Sequence, residues 1–335
     1  MDGIILINKE KDYTSHDVVA KVKKMLKVKV GHTGTLDPNA TGVLPLLLGN
    51  ATKVSKYLIN HDKEYIAELK LGIKTDTADG EGKVIAEKKV DINELLNNKS
   101  LKDNNENINS EREDKKVLEE KLQEILNSFV GKMLQKPPMY SAIKINGKKL
   151  YEYARKNQKV EVEPREIEIY NIKLINFDTK ENIIKFKVNC SKGTYIRTLC
   201  ENISEKLNTY GYMKELQRTK VGNFCIENAI TIEELEKIIN EQIKINSSKE
   251  NDNINKNIIE NKIDIDNNKN FFITIEKLFE NNENFILNQD LLDKFLNGVM
   301  IKNNKNDGIY KVYIDNKFIG IGINKEKRLK RDIII

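Results

Sequence analysis

The residues most able to do chemistry lie in one loop rich in glycine, threonine and proline, between Gly31 and Gly42. The loop contains one acidic residue, Asp37, which directly precedes Pro38. It lacks the Lys-Ser/Thr pair of a P-loop and the Gly-x-Gly-x-x-Gly of a dinucleotide site, so a phosphate-cradling role is disfavoured. The loop therefore offers a single carboxylate, although an Asp-Pro pair taken alone is more typical of a residue that caps a turn.

Three further side chains are candidates for the same site. Arg197 follows Gly193-Thr194-Tyr195 at the start of a predicted helix, where a buried guanidinium could keep an aspartate ionised and orient it; the alternative is a solvated helix flank. Tyr65 lies in a predicted strand, where an aromatic residue usually packs on a core. His32 lies in the loop itself, where a hydrogen-bonded structural role is the common alternative.

The elements that must position these residues can be predicted from periodicity. Ile4 to Ile7 is a short apolar strand, and Thr14 with Asp17 forms a capping box at the start of an amphipathic helix. Further predicted elements are helices over 117–130 and after Gly193, a strand over Ile183 to Val188, and hairpin turns at Asp79-Gly80, Asn146-Gly147 and Asp315-Asn316. Strands and helices alternate without regular βαβ repeats, which predicts an α+β fold with a mostly β tail.

Composition narrows the class of protein. The chain has 335 residues, 39% hydrophobic and 32% charged, with a net charge of +6 that favours a polyanionic partner. It starts Met1-Asp2-Gly3 without a signal-peptide pattern, has no apolar run long enough to span a membrane, and its three cysteines are scattered. Three histidines and three cysteines at these spacings predict no zinc cluster. A cytoplasmic protein is expected.

The loop sequence from Gly31 to Pro45 closely resembles the catalytic motif of the TruB family, the tRNA pseudouridine-55 synthases. Further motifs follow in the family's order, and together they cover residues 1 to about 238: Lys63–Tyr65, Thr75–Gly82, Gln135–Lys144, Cys190–Thr198 and Leu216–Gly222. The resemblance implies the pseudouridine synthase fold, a mixed and largely antiparallel sheet flanked by helices, with a small β-rich PUA-like domain at the C-terminus.

The resemblance also implies an activity, the isomerisation of uridine-55 in the T-loop of tRNA after base flipping, without a cofactor or metal. It implies that Asp37 is the nucleophile, attacking either the ribose C1′ or the base C6, and that Arg197 supplies the pairing charge. Tyr65 would stack on the base and take the C5 proton. His32 would fill the space left by the flipped base, and Tyr195 and Leu216 would line the pocket.

Two departures from the family pattern stand out. The usual Lys-Pro-x-Gly after the first strand is Lys9-Glu10-Lys11-Asp12, which predicts a looser loop. Gln217 replaces an arginine, which leaves Arg218 and Lys220 to face the RNA.

The alternative functions are those of a non-catalytic RNA-binding protein on the same scaffold and of an RNA-guided synthase that works with partner proteins. Intact Asp37, Tyr65 and Arg197 disfavour the first, and the short tail disfavours the second.

These inferences give a domain plan. Residues 1–239 form the catalytic domain, interrupted by a polar, asparagine-rich insertion at 91–116. Residues 240–270 form an asparagine-rich linker, and residues 271–335 form a PUA-like RNA-binding domain. The expected partner is the tRNA T-arm, with no membrane and no obligatory protein partner.

Overall fold

A computed structural model describes residues 1–91, 108–156, 158, 160–249 and 270–335. Most of the predicted insertion and linker therefore lies outside the described residues. Within the described residues, no helix is both long enough and apolar enough to cross a membrane. The chain forms two compact units, one made of Met1–Pro38, Gly42–Ile59 and Phe224–Ile335, the other of Asn39–Thr41 and Asn60–Asn223.

Strands and helices alternate irregularly along the chain. The strands are β1 Gly3–Lys9, β2 Val30–His32, β3 Thr41–Leu48, β4 Lys63–Leu71, β5 Ile73–Thr75, β6 Val84–Glu87, β7 Gly131–Gln135, β8 Lys144–Ile145, β9 Lys148–Lys149, β10 Arg165–Asp178, β11 Ile183–Cys190, β12 Gly211–Val221, β13 Phe224–Cys225, β14 Phe272–Thr274, β15 Asn284–Ile286, β16 Ile301–Lys302, β17 Gly308–Ile314, β18 Lys317–Lys325 and β19 Arg328–Ile334. The α-helices are α1 Ser15–Leu26, α2 Ser55–Leu58, α3 Ile108–Asn127, α4 Leu150–Ala154, α5 Ile196–Lys206, α6 Ile232–Lys249, α7 Ile275–Leu278 and α8 Leu292–Leu296. Short 3-10 helices cover Gly49–Val54, Ile226–Asn228 and Gln289–Leu291.

The first unit is built around strand β1. It lies between β14 and β3, antiparallel to both, and β2 pairs with β3. Helix α1 starts at the predicted capping box of Thr14 and Asp17. One buried core joins apolar residues of β1, β3, α1, α6, the start of β14 and the residue before it: Ile5, Ile7, Val18, Val22, Leu26, Leu44, Leu46, Leu48, Ile232, Leu235, Ile239, Phe271 and Phe272.

The C-terminal part of the first unit has its own five-stranded sheet, in the order β15-β17-β18-β19-β16. Strand β15 runs parallel to β17, and the other pairs are antiparallel. Its core is a separate cluster that includes Phe295, Val312 and Leu329. Asp332 on β19 accepts a hydrogen bond from the Tyr57 hydroxyl at 2.6 Å and pairs with Lys56, so this sheet contacts helix α2 within the same unit.

The second unit carries an antiparallel sheet in the order β12-β4-β11-β10-β7. Helix α3 packs against β10 and helix α5 against β12. Two small hairpins, β5–β6 and β8–β9, project from this sheet's connections. Because side chains alternate along β4, Tyr65, Ala67, Leu69 and Leu71 share its buried face.

The sequence predicted most of these elements correctly. The α+β class, the largely antiparallel pairing, the β-rich tail and the hairpin turns at Asn146-Gly147 and Asp315-Asn316 are confirmed, with both residues of each turn in the left-handed region. A hairpin also encloses Asp79-Gly80, but its strands end at Thr75 and resume at Val84, so these two residues lie in a longer connection and not at a two-residue turn. Two helices extend into the predicted insertion and linker, whose scattered isoleucines left short helices possible. Helix α3 starts at Ile108, inside the predicted insertion, and α6 continues to Lys249, inside the predicted linker.

Candidate active site

The backbone on both sides of Asp37 is fixed to the first strand and the first helix. The Leu36 amide donates to the Ser15 hydroxyl at 2.9 Å, and that hydroxyl donates back to the Leu36 carbonyl at 3.2 Å. On the other side, the Pro38 carbonyl accepts from the Lys9 ammonium at 2.9 Å and from the Asp12 amide at 3.0 Å. The half-buried Asp37 therefore lies in a loop whose course is set by main-chain contacts.

Lys9 is the centre of this arrangement. Its side chain is 0% exposed, and its ammonium also donates to the carbonyls of Glu10 at 2.9 Å and Tyr13 at 2.6 Å. Asp12 has φ +67°, a left-handed conformation that favours glycine and that aspartate tolerates. The loop that the sequence predicted to be looser is thus tied down. Sequence reasoning did not identify Lys9 as a site residue; its position at the end of the first apolar strand was the available signal.

His32 lies at the end of β2, half-buried, in the same unit as Asp37. Its ring makes an edge contact with His16 in α1, with ring centroids 5.5 Å apart and an interplanar angle of 81°. The first helix therefore supplies one contact of the His32 ring.

In the second unit, Arg197 on α5 is buried, with 5% of its surface exposed, so it is not a solvated helix flank. Its guanidinium donates to the Tyr140 carbonyl at 2.8 Å and to the Thr77 carbonyl at 3.3 Å. It also pairs with the carboxylate of Asp79 at 3.4 Å. Residues from three of the predicted motifs thus meet at one guanidinium.

Asp79 was predicted only as a turn residue, and the structure gives it a second role. Its carboxylate accepts from the Thr77 hydroxyl at 2.5 Å and from the Glu81 amide at 3.1 Å, in addition to the pair with Arg197. The Thr75 hydroxyl donates to the Asp79 carbonyl at 2.8 Å. A carboxylate held by this many donors has a fixed position, and it fixes the arginine beside it.

Tyr65 on β4 lies directly opposite Arg218 on β12 in the antiparallel register. Arg218 is 0% exposed, and Tyr65 is buried as well. Burial lowers the pKa of the Arg218 guanidinium, and a hydrogen bond with the Tyr65 side chain partly offsets that effect. The expectation that Arg218 faces the RNA is therefore wrong, because the β12 register turns its side chain to the buried face. Lys220, two residues on, is exposed.

The two residues expected to line the pocket are also in the second unit. Tyr195 is the residue before α5, and the side-chain amide of Gln135 brackets it, accepting from its amide at 2.8 Å and donating to its carbonyl at 3.0 Å. Leu216 is buried on β12 and lies opposite Ala67 on β4, one alternate position from the Tyr65–Arg218 pair. Leu216, Tyr65 and Arg218 thus share one buried face.

Most of the chain is similar in sequence to one family of known proteins. Residues 21–103 and 93–196 match the model of the TruB family pseudouridylate synthase N-terminal domain, and residues 197–252 match that of the tRNA pseudouridylate synthase B C-terminal domain. The chain is 41% identical over 337 residues to tRNA pseudouridine synthase B of Clostridium tetani, covering 98% of each protein. It is 46% identical over 241 residues to that of Alkaliphilus oremlandii, covering 72% of each.

Solved structures show the same fold at lower sequence identity. A chain of an H/ACA ribonucleoprotein bound to a substrate RNA containing 2′-deoxyuridine matches with a TM-score of 0.59 and 21% identity. A chain of a Cbf5–Nop10–Gar1 complex matches with a TM-score of 0.59 and 23% identity. Each match covers 99% of this chain and 83% of the other.

Proposed function

The chain belongs to the TruB family of pseudouridylate synthases, and from this premise we propose that it converts uridine-55 in the T-loop of tRNA into pseudouridine. The coarser activity, pseudouridine synthesis in tRNA, follows from near full-length relatives that carry that name. The observation that carries the finer proposal is the family's catalytic loop, present with its single acid, Asp37, and clamped on both sides of that acid.

The chemistry is an isomerisation that needs no external group. The bond between ribose C1′ and N1 breaks, a bond between C1′ and C5 forms, one proton leaves C5 and one proton joins N1. We assign the nucleophile to the Asp37 carboxylate, which attacks either C1′ or C6. Arg197 keeps that carboxylate ionised and oriented, and Tyr65 accepts the proton from C5.

Substrate binding requires the uridine to leave the folded T-loop, at a cost of about a few kcal/mol. In our proposal His32 occupies the space left by the base, and Tyr195 and Leu216 line the pocket that receives it. Phosphate contacts offset part of the flipping cost, consistent with the net charge of +6. The C-terminal sheet supplies some of them as a PUA-like module, through exposed side chains of β18, β19 and their turn: Lys325, Lys327, Arg328, Lys330 and Arg331.

The enzyme works on tRNA without a guide RNA or an obligatory protein partner in this proposal. Relatives about 40% identical over nearly the whole chain are named as tRNA enzymes, whereas the ribonucleoprotein chains share the fold at about half that identity. A tRNA substrate places the enzyme in the cytoplasm.

The test uses the purified protein and an unmodified tRNA transcript, with pseudouridine mapped chemically along the RNA. We expect modification at position 55 by the wild-type protein alone, and none by Asp37→Asn, whose amide cannot act as the nucleophile. The Asp37→Asn protein should bind the transcript with unchanged affinity. Modification at another position would contradict the assignment of uridine-55 as the target. Turnover by Asp37→Asn above a mock preparation would contradict the assignment of Asp37 as the nucleophile.

A further inference from the structure

The least expected feature of the second unit is a fully buried cation beside the tyrosine of the site. Arg218 is 0% exposed and faces Tyr65 across the β4–β12 pair, and the two side chains share a hydrogen bond. Lys63, two residues before Tyr65 on the same face of β4, is half-buried. Burial and the nearby Arg218 lower the pKa of Lys63, so the two cations lie in one electrostatic environment.

We infer that Arg218 is a positioning residue that makes the Tyr65 oxygen a proton acceptor, an inference that rests on the proposed function. A guanidinium has only donors, so it can bond Tyr65 only through a lone pair of the tyrosine oxygen. That bond strengthens when the oxygen is a phenolate. Arg218 stays charged at every pH at which the enzyme works, and it therefore favours the deprotonated form of Tyr65.

The proton balance of the reaction shows at which step a deprotonated Tyr65 is needed. Once C5 is bonded to C1′, its remaining hydrogen must leave as a proton. The electron pair of the C5–H bond becomes the C5=C6 double bond, and the pair of the C6=N1 bond moves to N1. The Tyr65 phenolate takes the C5 proton and becomes neutral tyrosine, and N1 then receives a proton, which restores the phenolate if Tyr65 or solvent linked to it is the donor.

In the part of the chain that the structure describes, the neighbouring groups do not provide an alternative acceptor. Val188 lies opposite Tyr65 on the β11 side and cannot titrate. Burial raises the pKa of the nearby Cys190 thiol to about 12, so it stays protonated. Asp62 accepts a hydrogen bond from the Tyr170 hydroxyl at 3.1 Å. Glu64 is turned to the opposite face of β4, where it pairs with Lys187 at 3.0 Å and accepts from Thr219 at 2.7 Å.

Stabilisation of the fold alone does not explain why an arginine occupies this buried position. Burying a charge is energetically unfavourable, and an apolar side chain of similar volume often stabilises a core equally well or better. Arg218→Met should therefore fold. Its effect should appear in the titration of Tyr65 and in proton transfer rather than in stability.

The first measurement is spectrophotometric titration of tyrosine near 295 nm without RNA. The chain has no tryptophan and 12 tyrosines, so the tyrosinate signal is unobscured. The contribution of Tyr65 is the difference between each protein and its Tyr65→Phe derivative. We expect the Tyr65 midpoint in Arg218→Met to lie about one to three pH units above that of wild type, with Arg218→Lys between them.

Two matched controls separate this shift from general effects. Lys173→Met removes an exposed cation from β10 and should leave the Tyr65 midpoint unchanged. Tyr170→Phe removes a tyrosine whose pKa is raised by burial and by its hydrogen bond to Asp62, and should remove a signal only at high pH. An unchanged or lower Tyr65 midpoint in Arg218→Met would overturn the inference. Should Arg218→Met not fold, the Arg218→Lys shift decides alone.

The second measurement is single-turnover pseudouridine formation on tRNA carrying deuterium at uridine C5. We expect Arg218→Met to be slow at neutral pH, to recover as pH rises, and to show a larger isotope effect than wild type because C5 deprotonation limits its rate. A uniform loss at every pH with an unchanged isotope effect would assign Arg218 a structural role. The titration needs no RNA, so a failure of the wild-type enzyme on tRNA would count against the proposed function and not against the Arg218–Tyr65 pairing.

Discussion

The two units hold their functional residues by different means. In the first unit, the loop of Asp37 is fixed through main-chain atoms, with Lys9, Ser15 and Asp12 contacting backbone groups of Leu36 and Pro38. In the second unit, the positions of Arg197 and Arg218 depend on buried contacts between side chains. The charged guanidinium of Arg197 pairs with Asp79, and that of Arg218 bonds to Tyr65. This arrangement, a main-chain clamp, tolerates changes of residue type in the segments that contribute only main-chain atoms, because those atoms are common to all amino acids; its side-chain donors Lys9 and Ser15 have no such freedom. A buried ion pair does not tolerate such changes.

This difference accounts for where the chain departs from its family. Glu10 and Asp12 stand where the family usually has proline and glycine, and the loop keeps its contacts because these come from the Lys9 side chain and the Asp12 amide. Asp79, Arg197 and Arg218 cannot be replaced in the same way, because their contacts are made by charged side chains. A motif mismatch is therefore weak evidence against function where the contacts are made by backbone atoms.

The largest effect is expected when the segment that packs against β1 in the first unit is deleted. Truncation after Ile239 deletes β14 and the core residues Phe271 and Phe272, each worth roughly 1.5–3 kcal/mol of burial. It also leaves residues Gly3 to Ile5 of β1 without their partner strand on that edge. We expect this fragment to be insoluble or to unfold at a much lower temperature than the whole chain.

A truncation after Asn282 provides the matched fragment, since it keeps β14 and α7 and removes only the C-terminal sheet. We expect it to be soluble, with near-normal kcat, a raised KM for tRNA and a weaker dependence of binding on salt. Equal stability of the two fragments would show that the segment around β14 does not support β1.

The next largest effect should come from the buried ion pair. Arg197→Ala leaves Asp79 buried without its partner, and we expect a loss of about 3–5 kcal/mol in unfolding free energy. On the role of Arg197 proposed above, we also expect a fall of roughly 10²- to 10³-fold in kcat. Denaturant melts and single-turnover rates measure the two effects.

Two variants give this prediction its controls. Asp79→Asn should reduce stability with a smaller fall in kcat, because Arg197 keeps its charge and its bonds to Thr77 and Tyr140. Lys132→Ala breaks an exposed pair with Glu166 and should change neither quantity measurably. A fully active Arg197→Ala enzyme would show that this arginine has no role in catalysis.

The sequence predicted the elements and the single acid, and it missed the partners that hold them. Periodicity and capping rules sufficed for β1, α1, α5 and the hairpins, since these follow from local pattern. Asp79 could not be told from a turn residue, because its pairing with Arg197 joins positions far apart in the chain. The burial of Arg218 depends on the strand register of β12, which no local pattern fixes.

The clamp of the first unit should respond to loss of Lys9 with a smaller effect. Lys9→Met leaves the half-buried Tyr13 carbonyl without this donor and the Pro38 carbonyl with the Asp12 amide alone, and an unsatisfied group costs about 1–3 kcal/mol. We expect lower stability and a fall in kcat with little change in KM, because Asp37 loses its fixed position while the RNA contacts remain. Lys24→Met, an exposed change in α1, serves as the control. An unaltered kcat would show that Ser15 and Asp12 hold the loop alone.

The smallest effect is expected at Asp12, and it is the most direct test of a main-chain clamp. At φ +67°, Asp12→Gly relieves left-handed strain but adds flexibility to the unfolded chain, so stability should change by less than about 1 kcal/mol. Asp12→Ala should lose about 1 kcal/mol, because alanine gains nothing in that conformation. Both variants keep the amide that donates to Pro38, so both should retain full kcat. Asp12→Pro removes that amide and forbids the observed φ, and it alone should lower kcat. If Asp12→Ala and Asp12→Gly lost activity as well, the Asp12 side chain would be required, and the first unit would hold its acid by the same means as the second.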